Sequence, residues 1–250
     1  MRVSAERTVT VTEVVPRTLD SVTTDSLDAD RWLSRRYSAD DTGFTRLNMV
    51  TSVTGSIAGS DGTSETITSP TDRMILRAVR ANADVVVVGA TTARTERYLL
   101  PAHARLAVVT ATGDLDGVRL TRPGRPPALV LSSRAHRERV HARLAGAPVE
   151  HVTIDADEQL DPRAIVAELR ERGLPRVVCE GGPTIATRFL EAGCLDEICL
   201  TIAPALEPSG AAFVSPSRPR DATVAGMLVD DCGFSYLRLH PRDRVGASSR

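Results

Sequence analysis

The chain contains no lysine: its 31 basic residues are all arginine and stand against 32 acidic ones. That excludes Schiff-base lysine chemistry within this chain. The resulting net charge of −1 gives no global field favouring nucleic acid or anionic membranes. Cysteine is scarce. Cys179, Cys194, Cys199 and Cys232 show no CxxC spacing and the 5 histidines are scattered, so neither a metal site nor a disulfide framework is expected. Long hydrophobic runs are missing too: the longest, at residues 84–90, is far too short to span a bilayer. The first residues lack the apolar segment of a signal peptide. A cytoplasmic protein with no nucleic-acid or membrane partner is the expectation.

What is present is alternation. With 250 residues, 42% of them hydrophobic, the chain can bury a sizeable core. β-Branched residues alternate over 8–15, and 25–37 has helix character with an acidic start. A break at 40–43 leads into a strand at 44–53 and a loop rich in glycine and serine at 55–64. Pro70 suits the first turn of a helix capped by Ser69, with Met74, Ile75, Ala78 and Val79 as its apolar face. The wholly apolar run at 84–88 is the kind of strand buried on both faces of a parallel sheet. A short helix at 90–97 follows, then strands at 106–110 and 128–131, a helix at 133–144 and a strand at 149–154. A helix at 161–172 closed by Gly173, a strand at 176–179, a helix at 182–192 and a strand at 197–202 continue the pattern. Residues 222–239 read as a β pair around a turn at 230–233. The expected fold class is α/β: a single domain with a mostly parallel central sheet flanked by helices, and antiparallel strands at its C-terminal end. There is no internal repeat.

In open α/β sheets, ligands bind beyond the carboxyl ends of the strands. Two such ends here carry polar, glycine-containing segments, GATTARTE at 89–96 and EGGPT at 180–184. In the second, a strand enters Gly181-Gly182-Pro183-Thr184 and then a helix, so unpaired backbone N–H groups would face a phosphate or pyrophosphate. Glu180 would sit at the mouth, useful for substrate binding or proton handling. The same residues also fit a tight strand–helix turn with Glu180 capping locally, and spacing alone leaves both readings open. The first segment lacks the GxGxxG spacing of a dinucleotide-binding Rossmann turn, which argues against an ordinary dehydrogenase.

Taken in order, NMVTSVTG (48–55), SETITSP (64–70), Arg77, GATTARTE (89–96), EGGPT (180–184) and LDEICLTIAP (195–204) resemble the C-terminal reductase domain of bifunctional riboflavin-biosynthesis deaminase/reductases of the RibD type. The family's zinc deaminase signature has no counterpart in this chain. The resemblance implies a dihydrofolate-reductase-like fold, NADPH as cofactor, a homodimer, and reduction of the ribosyl group of an aminopyrimidine by hydride transfer. The matching segments run from about Phe44 to about Pro204; the reductase domain is expected over 44–242, with 1–43 as an N-terminal strand/helix extension and 243–250 as a disordered tail. By similarity Val50, Thr66, Gly89, Thr92 and Glu96 would line the cofactor, and Gly181, Gly182, Pro183 and Thr184, with the helix through Arg188, would wrap its phosphates. Asn48, Ser64, Arg77 and Glu180 would face the substrate, Arg77 supplying charge for a phosphorylated sugar. Glu180 is the expected catalytic residue, as acid or as anchor for a water, although a substrate-anchoring role fits the same position. No metal is implied.

Departures from the family pattern suggest an edited substrate half. The motif S-L/V-D-G appears here as Ser52-Val53-Thr54-Gly55, exchanging a carboxylate for a neutral hydroxyl. An arginine usual after the GATT segment is absent from 98–102, leaving His103 and Arg105 nearby, and Glu207-Pro208 replaces glycines. The expectation is an NADPH reductase of a ribosylaminopyrimidine-like or related heterocyclic metabolite. The alternatives are a pterin reductase and a non-catalytic NADPH-binding homologue. Any contacts to the cofactor's 2′-phosphate are expected from residues after the strand at 106–110 or from Ser132–Arg134, where no single arginine stands out.

Overall fold

A computed structural model describes residues 8–39, 43–156, 160–208 and 210–243. The N-terminal part supplies β1 (Thr10–Val15), β2 (Ser21–Thr23) and α1 (Ala29–Arg36). The centre is β3 (Thr45–Ser52), α2 (Pro70–Ala81), β4 (Val85–Gly89), α3 (Ala90–Thr95), β5 (Arg105–Thr110), β6 (Leu129–Ser133), α4 (Arg137–Leu144) and β7 (Glu150–Ile154). Then come α5 (Pro162–Glu171), β8 (Val177–Cys179), α6 (Pro183–Glu191), β9 (Glu197–Ala203), β10 (Arg220–Asp230) and β11 (Ser235–Asp243). The sequence reading finds this alternation, misses β2, and starts α1 early. Its proposed break at 40–43 falls largely outside the described residues, as does nearly all of the predicted tail.

All strands join one 11-stranded sheet in the order β2-β1-β10-β11-β9-β3-β8-β4-β5-β6-β7. The run from β9 to β7 is parallel. From β9 outward through β11, β10, β1 and β2 the pairing is antiparallel. The α/β expectation is met, and the described part of the N-terminal segment extends the same sheet through β1 and β10.

Local chemistry explains the main elements. Val85, Val86, Val87 and Val88 are fully buried because β4 lies mid-sheet with helices on both faces. Ser69 caps α2 by accepting from the Asp72 N–H at 3.0 Å, with Pro70 in the first turn. Asp161 caps α5 in the same way. One core cluster, including Leu47, Val87, Leu131, Leu169 and Phe189, packs α5 and α6 onto one face. A second, with Leu33, Tyr37, Ile75, Val79 and Tyr236, packs α1 and α2 onto the other. Cys179 and Cys199 are buried core residues, and burial pushes the Cys179 thiol up to about 12, removing it from nucleophilic chemistry. Among the described residues no helix is long and apolar enough to cross a membrane, and no cluster of three or more His, Cys, Asp or Glu could hold a metal.

Candidate active site

The carboxyl ends of β3, β4, β5 and β8 open onto two hollows. The larger, about 540 Å³, is lined by Asn48, Met49 and Val50 of β3, by the loop from Ile57 to Thr68, by one face of α2, and by Glu96, Tyr98 and Glu180. The smaller, about 350 Å³, lies between Gly89–Thr92, Thr110–Asp114 and the start of α6. Thr91, Thr92, Gly182 and Pro183 line both, so the hollows meet at a shared waist.

That waist is built by close packing that admits only glycine. Gly182 donates its backbone N–H to Thr92 Oγ1 at 2.8 Å, and a Cβ at Gly182 would lie 2.5 Å from the same oxygen. Gly181 has φ +83°, and a Cβ there would meet the Met49 sulfur at 2.7 Å. Its carbonyl accepts from Gly89 N at 2.9 Å, which locks the EGGPT turn to the end of β4. Beyond the turn, Gly182 caps α6 without a side-chain bond, so the Thr184 and Ile185 N–H groups at the rim of the smaller hollow are available to an anion.

Inside the larger hollow, Glu180 is the anchored centre. Arg80 Nε donates to its Oε1 at 2.7 Å and Arg80 Nη2 to its Oε2 at 2.6 Å, a bidentate pair. The Tyr98 hydroxyl also donates to Oε2. Burial alone would lower the Arg80 pKa, but the Glu180 charge and its hydrogen bonds reverse that and raise it. Burial, then the Glu180 charge, raises the Tyr98 phenol well above its ordinary value. Ser64 and Glu96, from separate segments, also meet: Ser64 donates to Glu96 from its N–H and its hydroxyl, both at 3.1 Å.

Most expected site residues are brought together. Asn48, Val50, Ser64, Thr92, Glu96, Glu180, Gly182 and Pro183 line the larger hollow, and Gly89, Thr92, Gly182, Pro183 and Thr184 the smaller one. Gly181 shapes the turn from behind.

Three residues are placed elsewhere. Arg77 lines a neighbouring surface hollow with Asp30, Ser34, Ala81 and His103, and Arg80 stands between that hollow and the larger one, lining both. At about 100° per residue, Asp72, Leu76, Arg80 and Arg73 share the helix face toward the cleft, while Arg77 turns past its edge. Thr66 lies outside both linings, because its hydroxyl donates back to Asp61 at 3.3 Å while Ile67 plugs the core. Thr68, two positions on, takes the cleft-facing place. Arg188 points away and donates to the Leu160 carbonyl at 2.6 Å.

The residue that sequence reasoning missed is Asp72. It lines the cleft, and Thr68 Oγ1 donates to its Oδ2. Burial pushes its carboxyl above the ordinary range, against lowering hydrogen bonds from Thr201 and Thr68. An Asp in the first turn of a capped helix looks like a cap partner, so only the fold shows that it faces the cleft. Nor does the arginine missing from 98–102 strip the rim of cations, because Arg73 and Arg97 line it.

The sequence matches the RibD C-terminal domain over residues 44–215. This chain belongs to the RibD C-terminal domain family. Within that family it is 26% identical over 171 residues to the riboflavin biosynthesis protein RibD of Bacillus amyloliquefaciens, covering 65% of this chain and 46% of that protein. It therefore spans under half of that relative. A 2,5-diamino-6-ribosylamino-4(3H)-pyrimidinone 5′-phosphate reductase of Methanothermobacter thermautotrophicus is 28% identical over 171 residues, covering 63% of this chain and 76% of that one. Among solved structures, a pyrimidine reductase-like protein of Corynebacterium diphtheriae superposes with a TM-score of 0.71 at 24% identity, covering 81% of this chain and 93% of the other. That likeness establishes a shared α/β fold.

Proposed function

We propose that this chain is a reductase that uses a nicotinamide dinucleotide, NADPH in the reading of the sequence, to reduce a ribosylaminopyrimidine-like metabolite. The observation that carries this reading is the joining of the two hollows at a glycine-lined waist, with polar groups converging at one end and an uncapped helix start at the other. The residues present fit the cofactor. Thr184 and Ile185 offer backbone N–H groups to a pyrophosphate, and Met49 and Val50 offer apolar contact beside the Glu180 cluster. Relatives named as pyrimidinone phosphate reductases support the substrate class.

When bound, the dinucleotide supplies the hydride. The chain's own residues supply position and a proton. Glu180, both of whose oxygens already accept from Arg80 or Tyr98, is a fixed acceptor suited to the N–H edge of a heterocycle rather than to proton release. Asp72, whose carboxyl lines the cleft and is pushed by burial toward its protonated form, is the better acid to give a proton to the substrate. Ser64 and Glu96 tie the lip of the cleft together across the mouth. Arg97 at the rim, and Arg73 by exchanging its partner Glu65, can meet a substrate phosphate. The homodimer implied by the resemblance belongs to this proposal and is checked by sedimentation.

The test is to titrate the purified protein with NADPH and then follow NADPH oxidation with the phosphorylated ribosylaminopyrimidine and its dephosphorylated form. Saturable binding and a product heavier by two hydrogens support the proposal. Binding without turnover of either compound removes the substrate assignment, and absence of dinucleotide binding removes the reductase reading altogether.

A further inference from the structure

The smaller hollow contains a feature that no sequence pattern announced. Among the described residues its lining holds one cation, Arg94, and one anion, Asp114. The two are paired, Arg94 Nη2 donating to Asp114 Oδ2 at 2.8 Å, with both side chains more than a third exposed. Arg94 Nε also donates to the Asp116 carbonyl, and the Asp116 N–H donates to Asp114 Oδ1 at 2.9 Å, so the 114–116 turn holds both partners at the rim. Thr110 Oγ1 fixes the start of that turn through the Asp114 carbonyl at 3.2 Å.

The location matters because of what flanks it. A dinucleotide with its nicotinamide beside Glu180 and its pyrophosphate at the start of α6 must place its other half beyond the waist, in this hollow. Arg139 approaches from α4, but its Nη1 donates to the Thr112 carbonyl at 3.1 Å and it does not line the hollow. Arg143 is paired with Asp116 at 2.9 Å.

We infer that the Arg94–Asp114 pair sets the choice between phosphorylated and unphosphorylated dinucleotide. Arg94 receives the ribose 2′-phosphate, and Asp114 is the internal anion that the phosphate must displace. A guanidinium fork matches a phosphate dianion as well as it matches a carboxylate. The pair is solvent-accessible, so exchanging partners carries little desolvation cost. Asp114 also repels a phosphate beside it, which makes it a brake on the same selectivity. This inference rests on the proposed reductase function.

The experiment measures dissociation constants by calorimetry for NADPH, NADH, 2′,5′-ADP and 5′-AMP, on the intact chain and on three variants. Arg94→Met keeps the aliphatic stem, Asp114→Asn removes the competitor, and Arg139→Ala tests the neighbouring cation. The intact chain is expected to prefer the 2′-phosphorylated ligand of each pair by about 10- to 100-fold, the scale of one charge-assisted contact. Arg94→Met should abolish that preference by weakening only the phosphorylated ligands, Asp114→Asn should sharpen it, and Arg139→Ala should leave it standing.

Because Arg94→Met and Asp114→Asn break the same ion pair yet are expected to move selectivity in opposite directions, mere loosening of the turn cannot mimic the result. An unchanged preference in Arg94→Met, a preference lost in Arg139→Ala instead, or an intact chain that binds NADH as well as NADPH overturns the inference and leaves the reductase reading in place. Absence of binding by any of the four ligands overturns both.

Discussion

Two clusters in this molecule are each built on an arginine–glutamate pair and do different work. Arg46, Glu197 and Arg238 meet within the sheet, where Arg46 on β3 and Glu197 on β9 are direct register partners. Arg46 Nε lies 2.6 Å from Glu197 Oε2, and Arg238 Nη2 lies 2.7 Å from Oε1. The Arg46 and Glu197 side chains are 2% and 0% exposed. Arg46 also donates to the Tyr37 carbonyl at 2.9 Å and Arg238 to that of Arg36, so the cluster ties the end of α1 to the sheet. Burial would raise the Glu197 pKa, but its two arginines outweigh that and lower it. Arg80, Glu180 and Tyr98 form the counterpart at the opposite, carboxyl end of the strands, where a cleft of about 540 Å³ opens onto them. The shared arginine–glutamate pair does not separate the two clusters. Position along the strand does: near the start of β3 and β9 the Arg46–Glu197 pair is sealed, and just past the end of β8 Glu180 faces a ligand-sized space.

The difference is sharpest when each carboxylate is removed. Glu197→Ala leaves the Arg46 guanidinium buried without its anion, so a loss of about 3–5 kcal/mol in unfolding free energy is expected by chemical denaturation. Replacing Arg46 and Glu197 together with Met and Leu should recover most of that loss, because Arg238 is 25% exposed and can reach water. If the double variant is no more stable than Glu197→Ala, the cluster has a role beyond pinning α1.

In the cleft the balance reverses. Asp72→Asn should cut turnover by about 10²- to 10⁴-fold, the usual weight of a positioned acid. The sign on pH follows from the raised pKa: turnover needs the protonated acid, so it falls as pH rises through that raised value, and the Asn variant should lose this limb. A carboxyl whose folded pKa is raised lends stability below its unfolded value and loses it as pH rises. Asp72→Asn should therefore be neutral or stabilising at pH 8 while it impairs the reaction. Glu180→Gln should act more mildly, costing about 10- to 100-fold in kcat/KM through a weaker hold on the heterocycle, with the pH limb intact. A pH profile flattened by Glu180→Gln and untouched by Asp72→Asn would exchange their roles.

The same comparison explains what was legible beforehand. The hydrophobic run of β4 and the capped start of α2 are local signals, and they locate the sheet and its helices. The EGGPT turn is legible because a strand, glycines and a helix start occur within a few consecutive residues. Arg77 misleads because it lies just past the edge of the cleft face of α2, and periodicity does not say which face meets the sheet's open end. Thr66 is displaced by an Asp61-centred turn that composition hides. Asp72 and Arg94 become meaningful only through partners far along the chain, Thr201 for one and Asp114 for the other.

The smallest effect belongs to Thr54, the position whose sequence suggested an altered site. It lines neither hollow. Its hydroxyl donates to the Glu207 carbonyl at 2.6 Å and shares a 2.8 Å bond with Ser52 Oγ, while Val53 N donates to Ala205 O at 3.0 Å. Thr54 thus ties the end of β3 to the segment leaving β9, beside Glu207, another departure from the family pattern. Thr54→Ala should cost about 1 kcal/mol or less and leave turnover within about twofold, since an exposed neutral hydrogen bond contributes little. Thr54→Asp restores the family's residue type but sets a carboxylate against a carbonyl that needs a donor. It should loosen the segment, read as faster amide exchange at Val53 and Ala205, without raising turnover. A rise in turnover with the phosphorylated ribosylaminopyrimidine would place position 54 at the substrate, and the contrast between a sealed cluster and an open one would have to include the end of β3.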